Sequence, residues 1–349
     1  MTTSDLTRRV IGRARRTISG LAARDTVPSV AAPEPAEGLH ECELYRGYDD
    51  ADVARLELLR SPAPVAGKPG FATDFIGART RIDMLPGADR FDGRTVYELP
   101  VPGDRLHAET AEYAALALAF SLAGPDRFQV FELGAGWAPW MTGAGLVAKR
   151  RGIGHVRLLG VEAGDQRFGF ALDHLAENGL RPAGDEPVTE LDGVRCELLH
   201  GAISWEDGEL FFPTGDALDY GMAAQPTDAP HDYRGVAFEQ RAVQAFALPR
   251  LLAEHGLVDL LHIDIQGTEA ELIERSLGPI DEHVRVMCVG THSRAIEGEL
   301  LGTLHRAGWR LHGEKPCRFV HDADGATLEA MTSHDGVQTW VNPRLTDPV

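Results

Sequence analysis

The sequence predicts an α/β chain: a doubly wound, mostly parallel seven-stranded sheet with an antiparallel edge, preceded by an N-terminal cap. Three observations predict it. From Phe128 onward, short apolar runs rich in Val, Ile, Leu and Phe alternate with helical patterns, which is the mark of a parallel sheet. The first of these runs ends in a glycine-rich turn, Glu132-Leu133-Gly134-Ala135-Gly136. The 349 residues, 43% hydrophobic and 25% charged, have an enzyme-like composition and allow one large domain or about two smaller ones.

Taken from the N-terminus, residues 1–39 read as a basic arm and a Pro/Ala-rich linker. Residues 1–24 carry six arginines and one acid, a local charge of +5. Leu6, Val10, Ala14, Ile18 and Leu21 share a helical face, so peripheral contact with a membrane surface or acidic partner is one reading. A disordered or self-docked arm is the plainer one. Residues 40–105 read as a cap segment, with a short helix over 50–59 and a strand-like run over 95–102. Residues 106–349 form the main domain. It opens on an Ala/Leu-rich helix over 106–124, stopped by Gly124-Pro125. Strands are expected at 128–133, 156–161, 194–200, 258–265 and 284–289, with closing strands at 309–312 and 338–341. Between the third and fourth strands the alternation breaks. There the sequence reads as a short strand at 209–212, a Gly/Pro/Asp-rich active-site flap at 213–232, a strand at 241–246 and a helix at 248–255.

The charge narrows the function. With 34 Lys and Arg against 53 Asp and Glu the net charge is −19, which disfavours broad nucleic-acid binding, because phosphates are met by basic side chains. No run approaches the ~18 apolar residues of a membrane-spanning helix. Cys42, Cys196, Cys288 and Cys317 form no C-x-x-C pair, and residues 1–20 lack the apolar core of a secretory signal. Reduced thiols and a cytoplasmic location are expected.

In an open α/β sheet ligands bind beyond the carboxyl ends of the strands. The first strand presents Glu132, Gly134, Ala135, Gly136 and Trp137 there, and the second ends at Glu162, placed to accept hydrogen bonds from ribose hydroxyls. Nicotinamide enzymes share this arrangement, but their third glycine packs beside a pyrophosphate. Here Trp137 and Trp140 stand where that packing is wanted, and Glu132 repels phosphate while suiting a cationic ligand. The fourth strand ends His262-Ile263-Asp264-Ile265-Gln266-Gly267-Thr268-Glu269 and the fifth Gly290-Thr291-His292-Ser293, which brings Asp264 and His292 side by side. One reading is general-base catalysis, with His292 taking a hydroxyl proton and Asp264 or Glu269 orienting it. A second is a metal site of two histidines and a carboxylate, and a third is a satisfied polar cluster. The third is favoured for His262, which lies deeper.

The segments VFELGAGWAPW, LLGVEA, LLHGAIS, VDLLHIDIQGTEAELI and VGTHSRAIEGELLGTLHRAGW resemble the FkbM family of S-adenosyl-L-methionine-dependent methyltransferases over about residues 130–318. The resemblance implies a Rossmann-like methyltransferase fold. It places Glu132, Gly134 and Gly136 along the methionine moiety of the cofactor and Glu162 at its ribose. Ala163 and the turn Gly201-Ala202-Ile203 would flank the adenine. Asp264 would sit near the cofactor's amino group or the acceptor, and His292 near the acceptor. Family members often carry Lys in place of His262 and Glu in place of Gln266. Taken with the polar cluster at the strand ends, the expected reaction is O-methylation of a small-molecule or glycan hydroxyl with His292, Asp264 and Glu269 as catalytic residues; no metal ligand is assigned, and the metal site stays an alternative reading of that cluster. A nicotinamide-dependent oxidoreductase and a non-catalytic binding module are the alternatives.

Overall fold

A computed structural model describes residues 46–102, 108–216, 218–232, 234–322 and 327–346. The arm and linker expected at 1–39 lie outside the described residues. The main sheet grows outward from β3 (Arg127–Leu133), which is flanked on one side by β4 (His155–Glu162) and on the other by β10 (Val258–Ile263), both parallel to it. β6 (Val194–His200) continues the sheet beyond β4, and β11 (Val284–Thr291) continues it beyond β10, again parallel. Both edges are antiparallel. β15 (Gly336–Val341) runs between β11 and β12 (Arg310–Lys315), from which it is separated in sequence by the short pair β13 (Arg318–Phe319) and β14 (Thr332–His334), and β5 (Val188–Leu191) closes the other side against β6. The strand order therefore reverses between β3 and β10, the switch point at which a ligand crevice opens in such sheets.

The sheet has eight strands, one more than expected. The extra strand is β5, joined to β6 by the two-residue turn Asp192-Gly193, whose φ angles of +50° and +79° are those of a tight hairpin. A second departure lies in the cap, whose two short strands β1 (Phe71–Thr73) and β2 (Arg79–Arg81) pair antiparallel. Residues 95–102 make a single bridge, Thr73 to Thr95, rather than a strand, because Pro100 and Pro102 have no N–H to give a ladder.

Alternation along the strands feeds two cores, one on each face. Phe128 and Val130 of β3, Leu260 of β10 and Cys288 of β11 face α2 (Thr110–Leu122), α3 (Pro139–Arg150) and α4 (Asp165–Glu177). Phe131, Leu133, Leu261 and Ile263 face α5 (Leu248–His255), α6 (Glu269–Arg275), α7 (Leu277–His283) and α8 (Arg294–Arg306). α2 is buried nearly all round, because it lies between the sheet and the cap helix α1 (Asp50–Leu56); its alanines allow that close approach. Phe120 of α2 stacks on Phe128 at 3.8 Å between ring centroids. Burying a side chain of this kind contributes about 1.5–3 kcal/mol.

The segment between β6 and α5 builds a second small sheet of β7 (Ala202–Ser204), β9 (Glu239–Ala247) and β8 (Gly208–Thr214). β8 and β9 are antiparallel, and residues 215–238 leave and return between them as the flap. Arg234 ties the flap to itself through Asp219 at 3.0 Å and Asp232 at 2.8 Å. Among the described residues no helix is long and apolar enough to cross a membrane.

Candidate active site

A cavity of about 830 Å³ opens over the carboxyl ends of β3, β4 and β10, within the usual size of ~300–1,000 Å³ for a small-molecule site. Glu132, Gly134, Ala135, Gly136, Trp137, Glu162, Ala163, Gly201, Ala202, Ile203 and Asp264 all line it. His292 and Glu269 stand behind Asp264 and do not line it. Glu112, Arg167, Tyr220 and Asp335, which sequence reasoning did not single out, also line it.

Two of the glycines are needed for the protein's own packing. A Cβ on Gly134 would fall 1.8 Å from the carbonyl oxygen of Asp264, because the Asp264 N–H donates to the Leu133 carbonyl at 2.9 Å and draws the strand ends together. A Cβ on Gly201 would fall 2.3 Å from the Gln244 carbonyl of β9. Gly136 serves differently, donating its N–H to Glu162 Oε2 at 2.8 Å. Glu162 Oε1 accepts from the Gly164 N–H at 2.6 Å and lies 3.6 Å from Arg167 Nε. The Glu162 carboxylate is thus fixed at the end of β4, and its remaining lone pairs are free to accept. The buried Arg167 guanidinium lies 5.4 Å from the Phe212 ring and 5.5 Å from the Tyr220 ring, and its Nη2 has no partner among the described residues. Tyr220 comes from the flap, donates its hydroxyl to the Met84 carbonyl at 2.8 Å and meets Trp137 edge-on at 5.0 Å. Cap and flap therefore meet over Gly136.

Glu132 has a structural task beside any ligand. Its carboxylate accepts from the Trp140 N–H at 3.2 Å and the Met141 N–H at 2.8 Å, satisfying first-turn amides of α3. Burial pushes its pKa up to about 7, although His262 and the two amide bonds pull the other way. The folded protein therefore holds a proton here that the unfolded chain, with its ordinary value of 4.5, releases. Stability must fall as pH rises from about 4.5 to about 7, at up to ~1.4 kcal/mol per pH unit. Glu132→Gln, which keeps an oxygen for one amide, is expected to flatten that window in urea unfolding at pH 5 and 7. An unchanged slope would remove Glu132 as its source.

Asp264, Glu269 and His292 present one ligand-type atom each, all within 4.8 Å of one another. His292 Nε2 lies 3.2 Å from Asp264 Oδ1, and Nδ1 lies 2.9 Å from Glu269 Oε1. Glu269, fully buried, also accepts from the Gly267 N–H at 3.0 Å and the Ile265 N–H at 3.1 Å. These bonds hold a strained turn in which Gln266 has φ +64°, and the Gln266 amide donates to Asp264 Oδ1 at 2.7 Å. Burial by itself would lower the His292 pKa, but Glu269 and Asp264 outweigh it and hold it well above 6.5. Burial would likewise raise Asp264, yet His292 keeps that carboxyl below its ordinary value. Both ring nitrogens of His292 therefore face carboxylates, and Asp264 is the member of the cluster that opens on the cavity. His262 lies away from this cluster on the α2 face, with Nε2 3.2 Å from Glu112 Oε1.

No family model matches the chain. A protein of Jannaschia sp. (strain CCS1) named "Putative methyltransferase" is 30% identical over 287 residues, which cover 80% of this chain and 95% of that protein. Among solved structures, precorrin-6Y C5,15-methyltransferase of Geobacter metallireducens is 12% identical, covering 69% of this chain and 91% of its own at a TM-score of 0.35. The N-terminal domain of human METTL16 is also 12% identical, with 69% and 72% coverage and a TM-score of 0.36. The sequence relative, matched over nearly its whole length, decides the matter: the chain belongs to the methyltransferase family of the Jannaschia protein.

Proposed function

We propose that the chain is an S-adenosyl-L-methionine-dependent O-methyltransferase of the FkbM type, acting on a hydroxyl of a sugar, glycan or secondary metabolite. The observation that carries this reading is Asp264, kept ionised by His292 at the cavity edge beside the Gly134–Gly136 turn. The cavity also suits the cofactor. Glu162 offers acceptor oxygens for ribose hydroxyls, and Ala163, Ala202, Ile203, Phe212 and Met222 give an apolar bed for an aromatic base. The buried, unpartnered Arg167 Nη2 supports a ligand with acceptor atoms at that end. Carboxylates dominate the remaining charge on the walls, which favours a cationic ligand and disfavours a phosphate backbone.

S-adenosyl-L-methionine supplies, when bound, a methyl group activated on a sulfonium. The protein's share is alignment, exclusion of water and management of one proton. Asp264 accepts the hydrogen bond, and then the proton, of the acceptor hydroxyl. His292 and Glu269 position Asp264, and the flap carrying Tyr220 closes the roof. An Asn/Asp-Pro-Pro-Tyr sequence after the fourth strand would have pointed to a nucleobase amine; Asp264-Ile265-Gln266-Gly267 stands there instead. Titration calorimetry with S-adenosyl-L-methionine and S-adenosyl-L-homocysteine is expected to give one site for each, and heat from neither would reject the reading. Mass spectrometry of extracts incubated with isotopically labelled cofactor then identifies the acceptor by the mass of the methyl it gains.

A further inference from the structure

Flap and cap lie far apart in the chain, yet Tyr220 and Met222 of the one line the cavity together with Leu85 and Pro86 of the other. They meet through Tyr220. Its ring rests on the glycine-rich turn, since a Cβ at Gly136 would fall 3.3 Å from Tyr220 Cε1. Trp137 meets the ring edge-on at 5.0 Å, and the Arg167 guanidinium lies 5.5 Å from it. The Tyr220 hydroxyl donates to the Met84 carbonyl at 2.8 Å, so one side chain both covers the turn and ties flap to cap. Around that bond Met84 and Phe170 form a small apolar cluster with Leu85, Trp137 and Leu218. The flap is also braced within itself. Arg234 grips Asp219, the neighbour of Tyr220, with Nη1 at 3.0 Å and Nη2 at 3.1 Å, and reaches Asp232 through Nε at 2.8 Å. Gly221 makes room for that grip, because a Cβ there would fall 2.2 Å from Arg234 Nη1. At the base, Phe211 and Gln225 exchange backbone hydrogen bonds of 2.9 and 2.8 Å.

A tip tied in this way moves as a unit. Lifting it leaves the Arg234 contacts whole, while it breaks the Tyr220–Met84 bond and parts Leu218 from the apolar cluster. We propose that the Tyr220 hydroxyl is a latch on the flap, and that the cofactor enters and leaves the cavity only in the unlatched state, so that flap opening sets the rate of exchange. This rests on the cofactor reading above and adds to it the step that limits cofactor entry and release. Lid opening of this kind often limits enzyme turnover. The latch has a distinctive kinetic signature. Its acceptor is a backbone carbonyl of the cap, and no ligand atom takes part, so the bond weighs equally on the empty and the loaded protein. An interaction that does not differ between two states cannot shift the equilibrium between them. Removing the hydroxyl must therefore speed entry and exit by the same factor. A side chain that holds the cofactor directly behaves otherwise, because its loss falls mainly on the dissociation rate.

The test is stopped-flow fluorescence of the full chain mixed with S-adenosyl-L-homocysteine, with Trp137 beside Tyr220 as a reporter of the flap, and calorimetry for the equilibrium affinity. Wild-type association should be well below the diffusional ceiling of about 10⁸–10⁹ M⁻¹s⁻¹. Tyr220→Phe keeps the ring on the turn and lacks only the hydroxyl. It should raise the association and dissociation rate constants together, each by about 3–10-fold, the range for one neutral hydrogen bond. The Kd should stay within about twofold of the wild-type value. A faster dissociation alone, with Kd weakened by the same factor, makes Tyr220 a ligand contact and overturns the latch. Rates unchanged in the variant overturn it too. Wild-type association already at the diffusional ceiling overturns the latch and leaves the cofactor reading standing. A wild type that gives neither a fluorescence transient nor calorimetric heat overturns both.

Discussion

Asp264→Asn is expected to slow methyl transfer by about 10²–10⁴-fold, the usual contribution of a positioned base. Binding of S-adenosyl-L-homocysteine should change by less than about threefold, because an interaction made only in the transition state is lost from kcat. Asparagine matches aspartate in size and keeps an oxygen for the Gln266 amide, so the turn over residues 264–269 has little reason to move. What it lacks is the charge that pairs with His292 at 3.2 Å and the capacity to take a hydroxyl proton. Single-turnover assays with bound cofactor separate these outcomes. A variant with near wild-type turnover would take proton transfer away from Asp264; one that loses cofactor affinity and rate together would make Asp264 a binding residue.

The same turn shows what the sequence carries and what it leaves out. The fold was legible because apolar alternation is local: the strands expected at 194–200 and 284–289 and the helix at 248–255 appear with at most two residues of difference. The missed β5 was also local, since Asp192-Gly193 between apolar runs is a hairpin signal. The strand wrongly expected at 95–102 rested on its apolar residues alone, whereas its prolines decide hydrogen bonding. The neighbourhood of Asp264 and His292 was readable too, because both residues end adjacent parallel strands. Their protonation was not. It depends on Glu269 lying 2.9 Å from the second ring nitrogen, a distance fixed by how the 265–267 amides fold back on that carboxylate. Glu112, Arg167 and Asp335 reach the cavity from two helices and a turn far apart in the chain, and no spacing along the sequence brings them together.

The largest stability effect belongs to His292. Removing the cation from between two carboxylates leaves Glu269 fully buried and uncompensated, and His292→Leu is expected to destabilise the protein by about 3–5 kcal/mol at pH 7, as for other broken buried pairs. The pH dependence carries the stronger test. A histidine whose folded pKa is held well above 6.5 contributes stability that is complete below pH 6.5 and is lost as pH rises toward the folded value. Wild-type stability should therefore fall between pH 7 and 8.5 with a slope of up to ~1.4 kcal/mol per unit, a window above the one in which Glu132 acts. The leucine variant has no such proton to lose and should be flat there. It should instead gain stability below pH 7, as one of the two facing carboxylates takes up a proton to relieve their repulsion. Urea unfolding at pH 5, 7 and 8.5 measures all three regions. If the variant keeps the wild-type slope above pH 7, another group is its source, and Asp264 is not held ionised in the way the catalytic proposal requires. Adding Glu269→Gln to His292→Leu closes the argument, since removing the stranded charge should return a large part of the lost stability, and a purely additive loss would show that the two side chains are not coupled.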